Sequence, residues 1–251
     1  VFPTLLLVAG AMTFLGAALH RASGMGFALL VAPVFVVLFG PAEGVILVNY
    51  CGALSATMVL VAVRRDVDWA MAKRYLPWMV LGVGAGAVIT ALMDESWLSL
   101  VAGGVLLASI LASIVLPRRP AAPPPSFAAL AGAGSGFMNV TSGAGGPPIV
   151  LHGLGSGVHP RVVMATLQPI VILNCTLSIG FKLPILWDPA AALAALPFLL
   201  AAPLLCGGGQ LVGRRLSRLL DGRRLRIALL ALSMIGAMLV IYSALVVLLA
   251  G

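Results

Sequence analysis

The chain has 251 residues, of which 61% are hydrophobic and only 9% charged, and its mean hydropathy is +1.15. That composition leaves too little polar surface for a soluble domain, so the chain reads as an all-α integral membrane protein; alternating strand patterns are absent. The net charge of +8 does not point to nucleic acid, because the basic residues sit in short loops beside apolar runs, where cytoplasmic anchoring accounts for them.

In chain order, apolar segments run over 3–20, 25–40, 43–63, 76–93, 97–116, 127–141, 146–158, 161–181, 190–212 and 226–250. Crossing a hydrocarbon core takes about 20 helical residues, so 97–116 and 226–250 suffice while several others are too short. The opening "VFPTLLLVAG" has no basic region ahead of its apolar run, and the first segment is expected to be retained rather than cleaved. After the fifth segment, "PRRPAAPPPS" (117–126) reads as a solvated, non-helical linker. It divides the chain into a first membrane repeat (1–116) and a second (127–251).

Two segment junctions carry polar and small residues: "HRASGMGF" (20–27) and "NVTSGAGGPP" (139–148). Sliding the chain on itself at one fixed offset pairs Ser23 with Ser142, Gly24 with Gly143, Gly26 with Gly145 and Pro41 with Pro160, and sets Asn49 opposite Gln168. Glycine, proline and serine punctuation at constant spacing indicates an internal repeat. The clusters Arg64, Arg65, Lys73 and Arg74, then Arg118 and Arg119, then Arg214, Arg215, Arg218, Arg223, Arg224 and Arg226 are expected on the cytoplasmic side. Asp94 and Glu95, and "KLPILWD" (182–188), then fall outside. This parity needs an odd number of crossings per half; about five segments each, with broken or re-entrant helices at the glycine motifs, make two inverted repeats.

Matching breaks in inverted halves point to a substrate site near the midplane, because irregular backbone at that depth lines a cavity or is buried in protein. A helix starts directly after each break, so positive dipole ends would face it, and the expected ligand is a small anion. The candidate binding residues are Arg21, Ser23, Gly24, Gly26, Asn49, Asn139, Thr141, Ser142, Gly143, Gly145, Gly146 and Gln168. Arg21 has two readings, an intramembrane cation facing the cavity or an interfacial anchor at the end of the first span. The amides, Asn174 among them, either line the path or glue helices together. His20, Glu43 and His152 are candidates for proton coupling; packing, or for Glu43 a first-turn acid beside a helix N-terminus, is the plainer reading. Isolated glycines such as Gly82, Gly84 and Gly86 read as helix-packing positions.

No nucleophile is accompanied by a base and an orienting acid, and no "GxxxxGK[ST]" sequence is present, so neither an enzyme nor an ATP-driven pump is expected. Cys51, Cys175 and Cys206 lie in apolar segments without CxxC spacing and read as small core residues, with no disulfide, metal or cofactor implied. The expected partners are the small anion and membrane lipid; an oligomer is compatible with the sequence, which fixes none.

The paired stretches "SGMGFALLVAPVFVVLFGPAEGVILVN" (23–49) and "SGAGGPPIVLHGLGSGVHPRVVMATLQ" (142–168), with "GRRLSRLLDGRRLR" (213–226) before the last span, resemble the TauE/SafE family of sulfite and organosulfonate exporters. The resemblance covers nearly the whole chain. It implies a multi-pass transporter of the bacterial inner membrane for small sulfur anions such as sulfite, sulfoacetate, thiosulfate or sulfolactate. Only the second motif has the double proline, and Met25 and Phe27 stand where the second half has Ala144 and Gly146. The expectation is a secondary transporter working by alternating access; a passive anion channel and a non-transporting membrane scaffold are the rivals.

Overall fold

The computed structural model describes residues 2–115, 125–186, 189–219 and 222–250, and among these the chain is helical with no strand. The helices are α1 (Phe2–Ser23), α2 (Phe27–Val63), α3 (Trp69–Leu92), α4 (Glu95–Val115), α5 (Pro125–Ser142), α6 (Gly146–Gly155), α7 (Pro160–Leu186), α8 (Pro189–Leu219) and α9 (Gly222–Ala250), with one 3-10 turn at Arg64–Asp66. Among the described residues, five stretches are long and apolar enough to cross a membrane: Thr4–Ser23, Phe27–Asp66, Trp69–Leu92, Pro160–Pro184 and Ala195–Ser217.

The second of these, 40 residues long, would measure about 60 Å as one rod, twice a hydrocarbon core of about 30 Å. It is not one rod. Gly40 has φ 82° and ψ 168°, outside helical space, and Pro41 follows. A Cβ on Gly44 would lie 2.5 Å from the Phe35 carbonyl oxygen, so the chain has folded back between the arms 27–39 and 41–63. The sequence boundary between segments 25–40 and 43–63 falls at this fold. The α6–α7 junction does the same, with the Gly153 Cβ position 3.0 Å from Val163.

Glycines set how closely the other helices approach. Gly132 of α5 meets the Tyr75 carbonyl of α3, and further along both helices Gly86 meets Phe137 and Val140, so α3 and α5 run side by side in the same direction. Helix α1 lies on α8 in the same manner, with Gly209 against Phe14 and Gly213 against Ala18. Small residues allow this approach where lipid offers no hydrophobic drive between helices. The packing expectation holds for Gly82 and Gly86, whereas Gly84 faces open space. Between these pairs, α7 runs antiparallel to the 41–63 arm of α2. Arg161 bonds Asp66 at one end, and in the middle a Cβ on Gly52 would lie 3.6 Å from Cys175 Sγ.

Several boundaries differ from the sequence reading. Helix α3 starts at Trp69 and α8 runs to Leu219, so Lys73, Arg74, Arg214, Arg215 and Arg218 lie in helix rather than in loops. Residues 117–124 of the linker lie outside the described residues, but Pro125 and Ser126 form the first turn of α5 rather than coil. Proline is suited to that turn, since its fixed φ is helical and its missing N–H would have no intrahelical acceptor. Lys182, placed by the sequence reading in an outer loop, belongs to α7, which continues to Leu186. Cys51, Cys175 and Cys206 are free and buried.

Candidate functional site

Helices α1 and α5 end in the same way. Gly24 and Gly143 both have φ 77°, a left-handed conformation that side chains strain to adopt. Each donates its N–H at 2.8 Å to the carbonyl four residues back, on His20 and on Asn139. The chain then turns and starts a new helix, α2 at Phe27 and α6 at Gly146.

The two breaks meet at one cavity. It has a volume of about 50 Å³, several times the roughly 10–15 Å³ that one water requires and enough for an ion of a few heavy atoms. His20, Gly26, Phe27, Ala28 and Leu29 line it from the first break, and Asn139, Gly143, Gly145, Gly146 and Pro147 from the second. Val48 and Gly52 of α2 and Leu167, Val171 and Cys175 of α7 close it. First-turn N–H groups of a helix have no intrahelical acceptor, so α2 brings those of Phe27, Ala28 and Leu29 to this wall. Helix α6 brings that of Gly146 only, because Pro147 and Pro148 carry none. Two positive helix ends therefore converge on one space, the first half supplying more donors.

Buried side chains brace the breaks. Asn139 Nδ2 donates to Asn49 Oδ1 at 2.7 Å and to Ser178 Oγ at 3.0 Å, while its Oδ1 accepts from the Gly145 N–H at 3.3 Å. That leaves the buried Asn49 Nδ2 with no partner among the described residues. Gln168 Nε2 donates to the Gly24 carbonyl at 3.0 Å and to Met164 O at 2.8 Å, and its side chain borders the His20 ring. His20 Nδ1 lies 2.9 Å from Ser55 Oγ, which itself receives Gln210 Nε2 at 2.8 Å. The Ser55 hydroxyl can give its own proton to Nδ1 or accept from it, so the His20–Ser55–Gln210 chain ties the ring to α2 and α8 in either tautomer.

Other candidates lie elsewhere. The hydroxyls of Ser23, Thr141 and Ser142 donate to carbonyls of their own helices, at 2.7 Å to Leu19, 2.8 Å to Phe137 and 2.7 Å to Met138, and none lines the cavity. Arg21 is half-buried, with its Cβ beside Gly213, next to Arg214 and Arg215, and does not line the cavity either. His152 Nδ1 pairs with the Tyr75 hydroxyl at 2.7 Å and borders a separate space of about 990 Å³ shared with Asp68 and Arg74. Glu43 is half-buried at the start of the 41–63 arm. Asn174 holds Ser135, donating to its carbonyl and its hydroxyl at 3.1 Å each.

Sequence reading missed Gly52 and Ser55 although their signal was present. With Asn49 and Ala56 they keep helical spacing on one face, and a glycine, an amide and a hydroxyl on one face of an apolar helix mark a polar lining. The cavity-lining side of α7, with Leu167, Val171 and Cys175, had no such signal, being apolar among apolar neighbours.

The family model described as Sulfite exporter TauE/SafE matches residues 7–240. No curated protein and no solved structure matches the chain. The match takes in both glycine breaks and the helices that close the cavity between them, on a chain whose helices are built to cross a membrane. The chain belongs to the TauE/SafE family of sulfite exporters, which are multi-pass membrane transporters.

Proposed function

We propose that this chain is a secondary transporter that exports a small oxidised-sulfur anion, sulfite or a short organosulfonate, across the bacterial inner membrane by alternating access. The observation that carries the reading is the convergence of two helix N-termini, each preceded by a left-handed glycine, on one anion-sized cavity. The bound anion takes N–H groups from Phe27, Ala28, Leu29 and Gly146, with the side chains of His20 and Asn139 beside it. Neutral donors suit a ligand that must leave again, since hydrogen bonds to a charged group contribute about 1.5–3 kcal/mol each without fixing a permanent ion pair.

In this reading the halves are inverted repeats. The caps at Gly24 and Gly143 are related by the same offset that relates His20 to Asn139 and Asn49 to Gln168. Under it the Asn139–Asn49 contact maps onto the His20–Gln168 contact, as a two-fold relation requires. The hairpins α1 with 27–39 and α5 with α6 enter from opposite faces as re-entrant elements, and the antiparallel pair of 41–63 and α7 lies at their interface. The arginine-rich loops put the Asp66–Arg161 end of that pair in the cytoplasm.

Thermal unfolding of the purified protein in detergent tests the ligand class. Sulfite or sulfoacetate should raise the melting temperature in a saturable manner, with chloride and the zwitterion taurine giving little. Equal stabilisation by every anion would remove the sulfur-anion assignment.

A further inference from the structure

Lys182 is only 1% exposed, and its Nζ has no hydrogen-bond partner among the described residues. A cation within a membrane-spanning helix is costly unless it meets an anion or a watered cavity. The antiparallel register that sets Asp66 against Arg161 and Gly52 against Cys175 brings Glu43, at the start of the 41–63 arm, to the level of Lys182, but the two are not within ion-pair distance. At the other end of the same helix pair, by contrast, Arg161 Nε is in contact with Asp66 at 2.9 Å.

The position of Lys182 on α7 gives this cation a use. Leu167, Val171 and Cys175 line the central cavity, and Ser178 receives the Asn139 amide. Lys182 continues that series at spacings of three and four residues, so it shares their face of the helix. It lies two turns beyond Cys175, about 10 Å along the axis, toward the end remote from Arg161. Its ammonium is thus a buried positive charge on the outward continuation of the wall that faces the cavity.

We propose that Lys182 forms a second anion site on the outer half of the path, which takes the sulfur anion from the central cavity before release, with Glu43 as the carboxylate that competes for the same ammonium. The proposal rests on the transport reading above. The central site has only neutral donors, so an ammonium one step outward, protonated as the anion arrives, draws the anion along. Glu43, close but not bonded, then displaces it and prevents Lys182 from holding it.

The experiment is sulfite flux in right-side-out and inside-out membrane vesicles carrying the full chain, with melting temperatures measured on the same purified variants. Lys182→Met, similar in length and uncharged, should keep or raise the melting temperature, because an apolar replacement of a buried charge is often neutral or stabilising. It should raise the half-saturating sulfite concentration at the outer face about tenfold or more and leave the cytoplasmic face within about twofold. Lys182→Arg should retain most of the outer affinity, and Glu43→Gln should tighten it by removing the competitor. Unchanged outer-face saturation in Lys182→Met, with normal wild-type flux, overturns the outer site and leaves the transport reading standing. Loss of melting temperature in both Lys182→Met and Glu43→Gln, restored in the double variant, also overturns it, since the pair would then be a structural bridge. Absence of saturable sulfite flux in the wild type overturns the transport reading and this site with it.

Discussion

Asn139 gives its side-chain amide to Asn49 at 2.7 Å, tying the end of α5 to the 41–63 arm of α2 across the wall of the central cavity. The same Asn139 accepts from the Gly145 N–H, so one side chain fixes both the break and its support. A double-mutant cycle on Asn49→Ala and Asn139→Ala should give a coupling energy of about 0.6–1.7 kcal/mol, the range for hydrogen bonds between membrane helices. Chemical denaturation in detergent measures it. Asn139→Ala should also weaken sulfite binding more than Asn49→Ala, because Gly145 loses its acceptor as well.

Neighbouring glycines of the second break should behave oppositely. A Cβ on Gly146 would meet nothing nearer than Leu167 at 3.8 Å, ordinary contact within the cavity lining. Gly146→Ala should therefore keep the melting temperature, or raise it through the roughly 0.4–1 kcal/mol of stability that glycine-to-alanine contributes at a compatible site, while weakening sulfite binding by narrowing the cavity. A Cβ on Gly145 would lie 2.5 Å from the Ser135 carbonyl and 2.8 Å from Asn174 Nδ2. Gly145→Ala should cost about 1–3 kcal/mol of stability. Melting curves with and without sulfite on both variants distinguish a cavity wall from a packing contact.

The hydroxyls and the arginine of the motifs should matter little to binding. Ser23→Ala, Thr141→Val and Ser142→Ala remove donors already given to helix carbonyls, so sulfite affinity should stay within about twofold of wild type. Arg21→Ala should likewise transport sulfite with an unchanged KM, since Arg21 stands against Gly213 and outside the cavity. Titration calorimetry and vesicle flux measure these; a tenfold loss in any of them would return that side chain to the site.

The positions of both breaks were legible in the sequence because glycine and proline signal backbone geometry directly. Gly24 and Gly143 adopt the same left-handed φ, and the segment boundary at residue 40 coincides with the non-helical Gly40. What side chains do at the breaks was not legible. Ser142 and Thr141 look like ligands in one dimension, yet on a helix a hydroxyl reaches the carbonyl four residues back, and both take that bond. Lys182 misled for a related reason: a charge near the end of an apolar run reads as the end of a span, and only packing reveals that the helix continues past it with the ammonium buried.

Membrane sidedness offers a test of the repeat arrangement. With Cys51, Cys175 and Cys206 replaced, single cysteines at Asp94 and Arg119 should react with an impermeant maleimide from opposite faces, because α4 lies between them. Labelling from one face would remove the odd number of crossings on which inversion depends.

Sulfite counterflow in proteoliposomes of the purified chain tests the central claim most directly. Vesicles loaded with unlabelled sulfite should take up radiolabelled sulfite transiently above equilibrium, with saturable dependence on concentration, and Gly146→Ala should shift that saturation upward. Flux that rises linearly with sulfite and shows no stimulation by internal substrate would identify a passive pore, and no flux above empty liposomes would leave the cavity between the two glycine breaks without the transport role assigned to it.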